Sequence, residues 1–280
     1  MMRKVLDVKG LSKVYGKGCP YCRDATGPRF NTNICPHCAS VVAVHDISFT
    51  LYEGEILGVM GESGSGKSTV VKCLYFDETV DGGTAHFFDN HGQYNLFDLF
   101  SLNAAQRRWL RYRRFGMVYQ NPHLGLNFGI SAGGNIAERL LMNGMLIYAD
   151  IRKRTSELLQ RTEVPENRMD DLPGHFSGGM QQRVQIAKAL ATNPPLLFLD
   201  EVTTGLDVSV QASILDLIIE IQDQLKTTMI VVTHDLGVIR LLAGRTIVMK
   251  NGRIIEAGLT DQILEDPQHA YTQRLVASAL

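Results

Sequence analysis

The sequence predicts an α/β fold in which a mainly parallel sheet is covered by helices, with a smaller antiparallel sheet ahead of it. Three observations point that way. The apolar runs "PLLFLD", "TMIVVT" and "RTIVM" alternate with segments of helical period from Gly178 onward, the pattern of strands buried on both faces by crossover helices. An earlier apolar run, "EILGVM", leads through the glycine-rich "GESGSGKS" into a helix-forming stretch. Ahead of it, "KVLDVKGLSKVYG" and "VVAVHDISFTLYEGE" alternate apolar and polar residues, as strands with one solvated face do.

Composition bounds the function. The chain of 280 residues is 45% hydrophobic and 20% charged, which suits one large globular domain with an appendage. A formal net charge of -1 leaves no Lys/Arg excess for a nucleic-acid footprint, so no direct nucleic-acid partner is expected. The N-terminus carries no signal-peptide run, and no stretch reaches the roughly 18 apolar residues of a membrane span. A cytoplasmic chain follows, with any membrane role left to a separate partner.

Taken in order, the first alternating run reads as an edge strand, residues 17–40 as an insertion, and the second run as its antiparallel neighbour. After "EILGVM" and its helix, a turn at "DGGT" leads to a short strand, a polar connection, a helix around 103–114 and the strand "FGMVY". The basic run "RRWLRYRR" in that helix reads as a solvated face, with Trp109, Leu110 and Tyr112 packed inward. Residues 121–172 are mostly helical, "NIAERLLMNG" and "ADIRKRTSELLQRT" being the clearest segments. A helix at 180–191 precedes "PLLFLD". The helix after Val208 spaces Ile214, Leu217, Ile218, Ile221 and Leu225 as one core stripe. "TMIVVT", a helix, "RTIVM", a "KNGR" turn and "IIEAG" complete the sheet.

"GESGSGKS" satisfies the P-loop pattern G-x-x-x-x-G-K-[ST] at every required position. Gly61, Glu62, Ser63, Gly64, Ser65 and Gly66 would curl backbone N–H groups around phosphate oxygens, with Thr69 on the first turn of the helix behind them. Lys67 should reach the β- and γ-phosphates and Ser68 should ligate Mg²⁺. "LLFLDE" ends a second apolar strand on two carboxylates, at the strand end where open α/β sheets bind ligands. Asp200 can hold Mg²⁺ through water, and Glu201 can polarise an attacking water.

Four further motifs make the chain resemble the ATP-binding-cassette ATPases. "FSGGMQQR" resembles that family's signature, "TGLD" its D-loop, "VVTHD" its switch histidine, and Gln120 after "FGMVY" its Q-loop. Tyr15 in "KVYG" is similar to the aromatic that stacks on adenine. The resemblance implies a P-loop NTPase fold: a RecA-like parallel core sheet, an antiparallel β subdomain and a helical subdomain near 121–172, one nucleotide-binding domain over residues 1–280. It also implies that Gln120 joins Ser68 and Asp200 around Mg²⁺, and that His234 contacts the γ-phosphate. Ser177, Gly178 and Gly179 would face the ATP of a second cassette across a homodimer or heterodimer, with Asp207 touching that neighbour. One departure is Val202, where the family usually has Pro after the catalytic Glu.

Within the family, "SAGGNIAERL", "GLDVSVQASILDL" and "THDLGVIRLLAGR" most resemble the ATPase subunits of bacterial carbon-phosphorus lyase systems, which implies a soluble lyase core as partner in phosphonate breakdown. The alternative is an oligopeptide- or nickel-type importer ATPase working with a membrane permease. A DNA-repair ATPase would carry two cassettes and a basic surface. This chain has one P-loop.

Cys19, Cys22, Cys35 and Cys38 form C-x₂-C-x₁₂-C-x₂-C. Four thiolates so paired can close a tetrahedral structural Zn²⁺ site with no open position for catalysis. Two disulfides or an iron–sulfur site are the alternatives. His37 is read as solvent-facing and Cys73 as a small buried hydrophobe. Because the insertion leaves the sheet just after Tyr15, it is expected to form a knob near the adenine mouth.

Overall fold

The computed structural model describes residues 3–88 and 97–278, and the chain divides into two compact units. The first comprises Met1–Asn103 and Thr228–Leu280; the second is Ala104–Thr227. The polar connection expected after the first β subdomain strands covers 89–96 and lies outside the described residues.

In the first unit, β1 (Lys4–Tyr15), β2 (Val41–Tyr52), β4 (Gly82–Phe87) and β5 (Phe97–Asp98) form an antiparallel sheet of order β2-β1-β4-β5. β1 is therefore interior, where the sequence suggested an edge. Alternation reports one solvated face and is the same for an edge and an interior strand of such a sheet. The pairing of β1 with β4, Leu6 opposite Phe87 and Val8 opposite Ala85, is what the glycine-rich "GGTAHF" did not announce.

The same unit holds four strands of a mixed sheet. β3 (Ile56–Met60) lies between β8 (Thr228–Thr233) and β9 (Arg245–Lys250), parallel to both, and β10 (Arg253–Leu259) returns antiparallel to β9. Every residue of β3 and β8 is buried, which is why both read as unbroken apolar runs. Helices α1 (Lys67–Leu74), α8 (Leu236–Leu242), α9 (Thr260–Glu265) and α10 (Ala270–Ala277) complete the unit. One core cluster joins Met60 of β3, Val248 of β9, Ile239 of α8, Ile263 of α9 and Tyr271 of α10. The last helix is thus tied to the strand that feeds the P-loop.

The second unit contains α2 (Ala104–Arg113), β6 (Phe115–Val118), α3 (Pro122–Gly125), α4 (Ala132–Met142), α5 (Tyr148–Arg161), α6 (Gly178–Leu190), β7 (Leu196–Asp200) and α7 (Val208–Leu225). β6 and β7 pair in parallel, and Phe115 meets Phe198 edge-on at 5.7 Å. α7 buries Ile214, Leu217, Ile218 and Ile221 of the expected stripe together with Leu215, while Leu225 is half-buried. The basic run differs in detail from expectation. Only Leu110 is buried; Trp109 and Tyr112 are half-buried, the first under Arg113 and Arg114, the second under Arg139. Arg139 is itself buried and donates to the carbonyls of Arg111 and Phe115, so cation–π stacking replaces inward packing.

Asn135 organises the start of α4. Fully buried, it donates from Nδ2 to the carbonyls of Asn127 and Ser131 and accepts the Asn127 N–H at 2.8 Å. Its replacement by Ala strands those backbone groups, so Asn135→Ala should lower stability by about 2–3 kcal/mol. Urea unfolding measures this, and an unchanged midpoint would show that water replaces the lost bonds.

Candidate nucleotide and metal sites

Parallel register places the first pieces. Met60 pairs with Thr233 across β3 and β8, so Gly61 and His234 leave adjacent strands side by side at their carboxyl ends. The loop that follows can exist only with glycine at its two ends. Gly61 (φ 149°) would carry a Cβ 2.2 Å from the Met249 carbonyl oxygen, and Gly66 (φ 102°) one 2.0 Å from that of Ala43. Between them the Ser65 N–H closes a turn on the Glu62 carbonyl at 3.1 Å. Lys67 is buried, and its Nζ donates to the carbonyls of Gly61 at 2.7 Å and Glu62 at 2.9 Å, which holds an ammonium under the loop. Glu62, Ser63 and Gly64 form the exposed crest, and Ser68 and Thr69 sit half-buried on the first turn of α1. A backbone cradle that a Cβ would fill, with a helix N-terminus and a buried cation, fits the phosphates of a nucleotide.

The loop is also held from outside, by residues that sequence reasoning did not single out. The Gly252 N–H in the β9–β10 turn donates to the Ser65 carbonyl at 3.0 Å. The Tyr271 hydroxyl, from α10, accepts the Glu62 N–H at 3.1 Å. Asn33, from the cysteine insertion, donates through Nδ2 to the Gly64 carbonyl at 3.2 Å. None has a signal in spacing or periodicity.

Tyr15 ends β1, its ring 5.2 Å from the Lys13 ammonium. Partial burial raises its phenol above the usual value, so it remains an uncharged aromatic surface. His234 is exposed beyond the end of β8, ahead of the Asp235 cap of α8.

The second unit carries the carboxylates. Buried Asp200 ends β7, and Glu201 turns out of the strand with φ 47°, a left-handed conformation that is rare for a side chain of this size. Oε2 of Glu201 accepts from Gln120 Nε2 at 3.2 Å and Thr204 Oγ1 at 3.3 Å, so the Q-loop and the acidic strand end are in contact. Val202 is buried and takes the place of the family's proline within this turn. Ser177 caps α6 by accepting the Met180 N–H, with Gly178 and Gly179 in its first turn. Asp207 caps α7; the Ser209 hydroxyl and then the Val210 N–H hold its carboxyl below the usual range. Gln182 and Gln185, buried on α6, both donate to the Tyr119 carbonyl, and Gln185 accepts the Tyr119 N–H. They link the signature helix to the residue before Gln120. Helical periodicity hides them, since Gln normally marks a solvated face.

The four cysteine sulfurs all lie within 4.8 Å of one another. Neighbouring Sγ atoms stand 3.4, 3.5 and 3.6 Å apart, close to the ~3.8 Å edge of a tetrahedron with 2.3 Å zinc–sulfur bonds and far from the ~2.05 Å of a disulfide. Cys22 and Cys35 are buried with Val42, and the Cys19 N–H points at Cys22 Sγ, so backbone and side chains both enclose the cluster. Burial pushes the Cys22 thiol up to about 12, whereas bonds from Ser40 bring Cys38 down to about 6. His37 is exposed and leans on Tyr21, and Cys73 is buried in α1.

A family model described as ABC transporter matches residues 44–204, more than half of the chain. The chain belongs to the ABC transporter ATPase family. Like the family, this cassette is an ATPase that binds and hydrolyses ATP. It is 50% identical over 235 residues to PhnK of Escherichia coli K12, named a phosphonates utilization ATP-binding protein, covering 84% of this chain and 90% of that one. It is 40% identical to the oligopeptide transport ATP-binding protein OppD of Bacillus subtilis 168, covering 85% of this chain and 66% of that one. Among solved structures, the cassette MJ0796, a dimer bound to ADP and Pi, superposes with a TM-score of 0.75 at 27% identity, over 91% of this chain and 98% of that one. CbiO1 of Clostridium perfringens gives 0.72 at 26% identity, over 94% and 92%. The cassette therefore combines the family's mixed sheet and antiparallel subdomain with a four-cysteine insertion. Among its described residues no helix is long and apolar enough to cross a membrane.

Gly66→Ala should abolish nucleotide binding while leaving the helical content intact, read by titration with a fluorescent ATP analogue. Wild-type cassette should carry one zinc per chain by elemental analysis, and the double variant Cys35→Ser, Cys38→Ser none; equal zinc in both would remove the thiolates as ligands.

Proposed function

We propose that this cassette is the cytoplasmic ATPase subunit of a carbon-phosphorus lyase system, dimerising on ATP and passing that closure to a soluble lyase core. The observation that carries the reading is its 50% identity to PhnK along 90% of that protein, against 40% to OppD along 66%. An exposed apolar run at the α4–α5 turn, with Leu141, Met142, Leu146, Ile147 and Tyr148 all open to solvent, supports work on a protein partner.

In this reading Lys67 neutralises charge on the β- and γ-phosphates, and Tyr15 offers its ring to adenine. Ser68, Gln120 and Asp200 would hold Mg²⁺, which supplies charge neutralisation at the phosphates when bound. Glu201 accepts a proton from the attacking water; its bonds from Gln120 and Thr204 aim the carboxylate. His234 contacts the γ-phosphate. Ser177, Gly178 and Gly179 present the N-terminus of α6 to the nucleotide of a second chain, with Asp207 at that neighbour. The four cysteines hold a structural Zn²⁺.

Glu201→Gln keeps the shape and removes the base. Hydrolysis should fall at least ~100-fold while an ATP-bound dimer accumulates on gel filtration. A tagged Glu201→Gln pull-down with ATP and Mg²⁺ from phosphate-starved cells should then recover soluble lyase subunits. Recovery of an integral membrane permease would instead assign the cassette to an importer.

A further inference from the structure

The cysteine insertion does more than decorate the sheet: two independent contacts connect it to the P-loop. Asn33 lies two residues before the ligand Cys35. Its own carbonyl accepts the Val42 N–H at 2.8 Å, Ile34 bridges to Val41, and the Cys35 N–H bonds the Ser40 carbonyl, so its backbone is fixed between β2 and the cysteine cluster. From that position Nδ2 reaches the Gly64 carbonyl on the exposed crest of the loop. The second contact runs through the β9–β10 turn. Arg253 donates from Nη2 to the Arg23 carbonyl of the insertion at 2.7 Å and packs against Gly27, while the adjacent Gly252 donates to Ser65 of the loop. The insertion therefore grips two successive peptides of the P-loop, one directly and one by way of Gly252.

We infer that Asn33 is a positioning residue of the nucleotide site, through which closure of the four cysteines on a metal favours nucleotide binding. Holding the Gly64 carbonyl fixes the plane of the 64–65 peptide, and with it the crest between the two obligatory glycines. Nothing inside the insertion replaces the cysteine cluster as a core: Cys22 and Cys35 are its buried apolar residues, packed with Val42. Without a metal the turn carrying Asn33 loses its anchor at Cys35, and the crest at Gly64 loses a support that the nucleotide must then replace. The coupling is reciprocal by linkage, so nucleotide must tighten metal binding by the same factor. The inference rests on the ATP and zinc sites proposed above. It is independent of which partner the cassette serves.

The test uses the full chain, zinc, and the non-hydrolysable analogue adenosine 5′-(β,γ-imido)triphosphate with Mg²⁺, in calorimetric titrations before and after zinc is removed by a chelator. Loss of one hydrogen bond of this kind corresponds to about a two- to tenfold change. Asn33→Ala should weaken the analogue by that factor while retaining one zinc per chain. Zinc removal should weaken wild type by a similar factor and Asn33→Ala by clearly less, and saturating analogue should lower the zinc Kd of wild type more than that of Asn33→Ala. Arg253→Ala, which frees the insertion from the β9–β10 turn and leaves the Asn33 side chain in place, should weaken the analogue in the same direction. Wild-type affinity in Asn33→Ala, or an equal effect of zinc removal on both proteins, overturns the inference while leaving the site assignments standing. A wild-type chain that binds no zinc or no analogue overturns both.

Discussion

The curl of backbone from Gly61 to Gly66 is the constraint to which the first unit is fitted. Two of its residues must leave the conformations open to other amino acids, and both lie against carbonyl oxygens of neighbouring strands. That arrangement requires β3 beside β9 in fixed register, so that Met249 arrives where the loop begins, and β2 of the other sheet close enough for Ala43 to meet its end. It also requires a positive charge beneath, because the Gly61 and Glu62 carbonyls converge on one point; the Lys67 ammonium fills it. The remaining supports, Asn33, Gly252 and Tyr271, come from three distant parts of the chain, which is how a loop with an exposed crest is kept in one shape at little cost in contacts.

The second unit solves a different problem, the aiming of a carboxylate. Glu201 is placed by a strained turn and steadied by Gln120 and Thr204, while the segment before Gln120 is bonded to α6 by Gln182 and Gln185. A movement of the signature helix would therefore be felt at the residue that orients Glu201. The polar spine inside this unit, Asn135 included, gives such a movement a stiff body to act through.

Much of this was legible in sequence because it is local. A strand that is buried on both faces must be apolar throughout, a phosphate loop needs glycine at stated intervals, and four thiols two apart in pairs suit one tetrahedral ion. What could not be read is polar and tertiary. Asn33 looks like any residue of a hydrophilic insertion, Tyr271 like a core aromatic, and Gln182 like one polar residue among many on a helix. β1 was misplaced at an edge because solvent exposure of a face says nothing of neighbours in the plane. Trp109 and Tyr112 kept some exposure because guanidinium groups, which a hydropathy pattern counts as solvated, cover them.

The ends of the cysteine insertion are cross-strand neighbours, Tyr15 lying opposite Val41. As far as the sheet is concerned the insertion is a hairpin loop some eight times longer than a tight three-residue turn, and such lengthening costs only roughly 2 kcal/mol in closure entropy. A single structural ion binds with several times that free energy. With the proposed ion bound, the insertion would be a module with its own means of folding, attachable to or removable from this hairpin without a change in the strands that carry it.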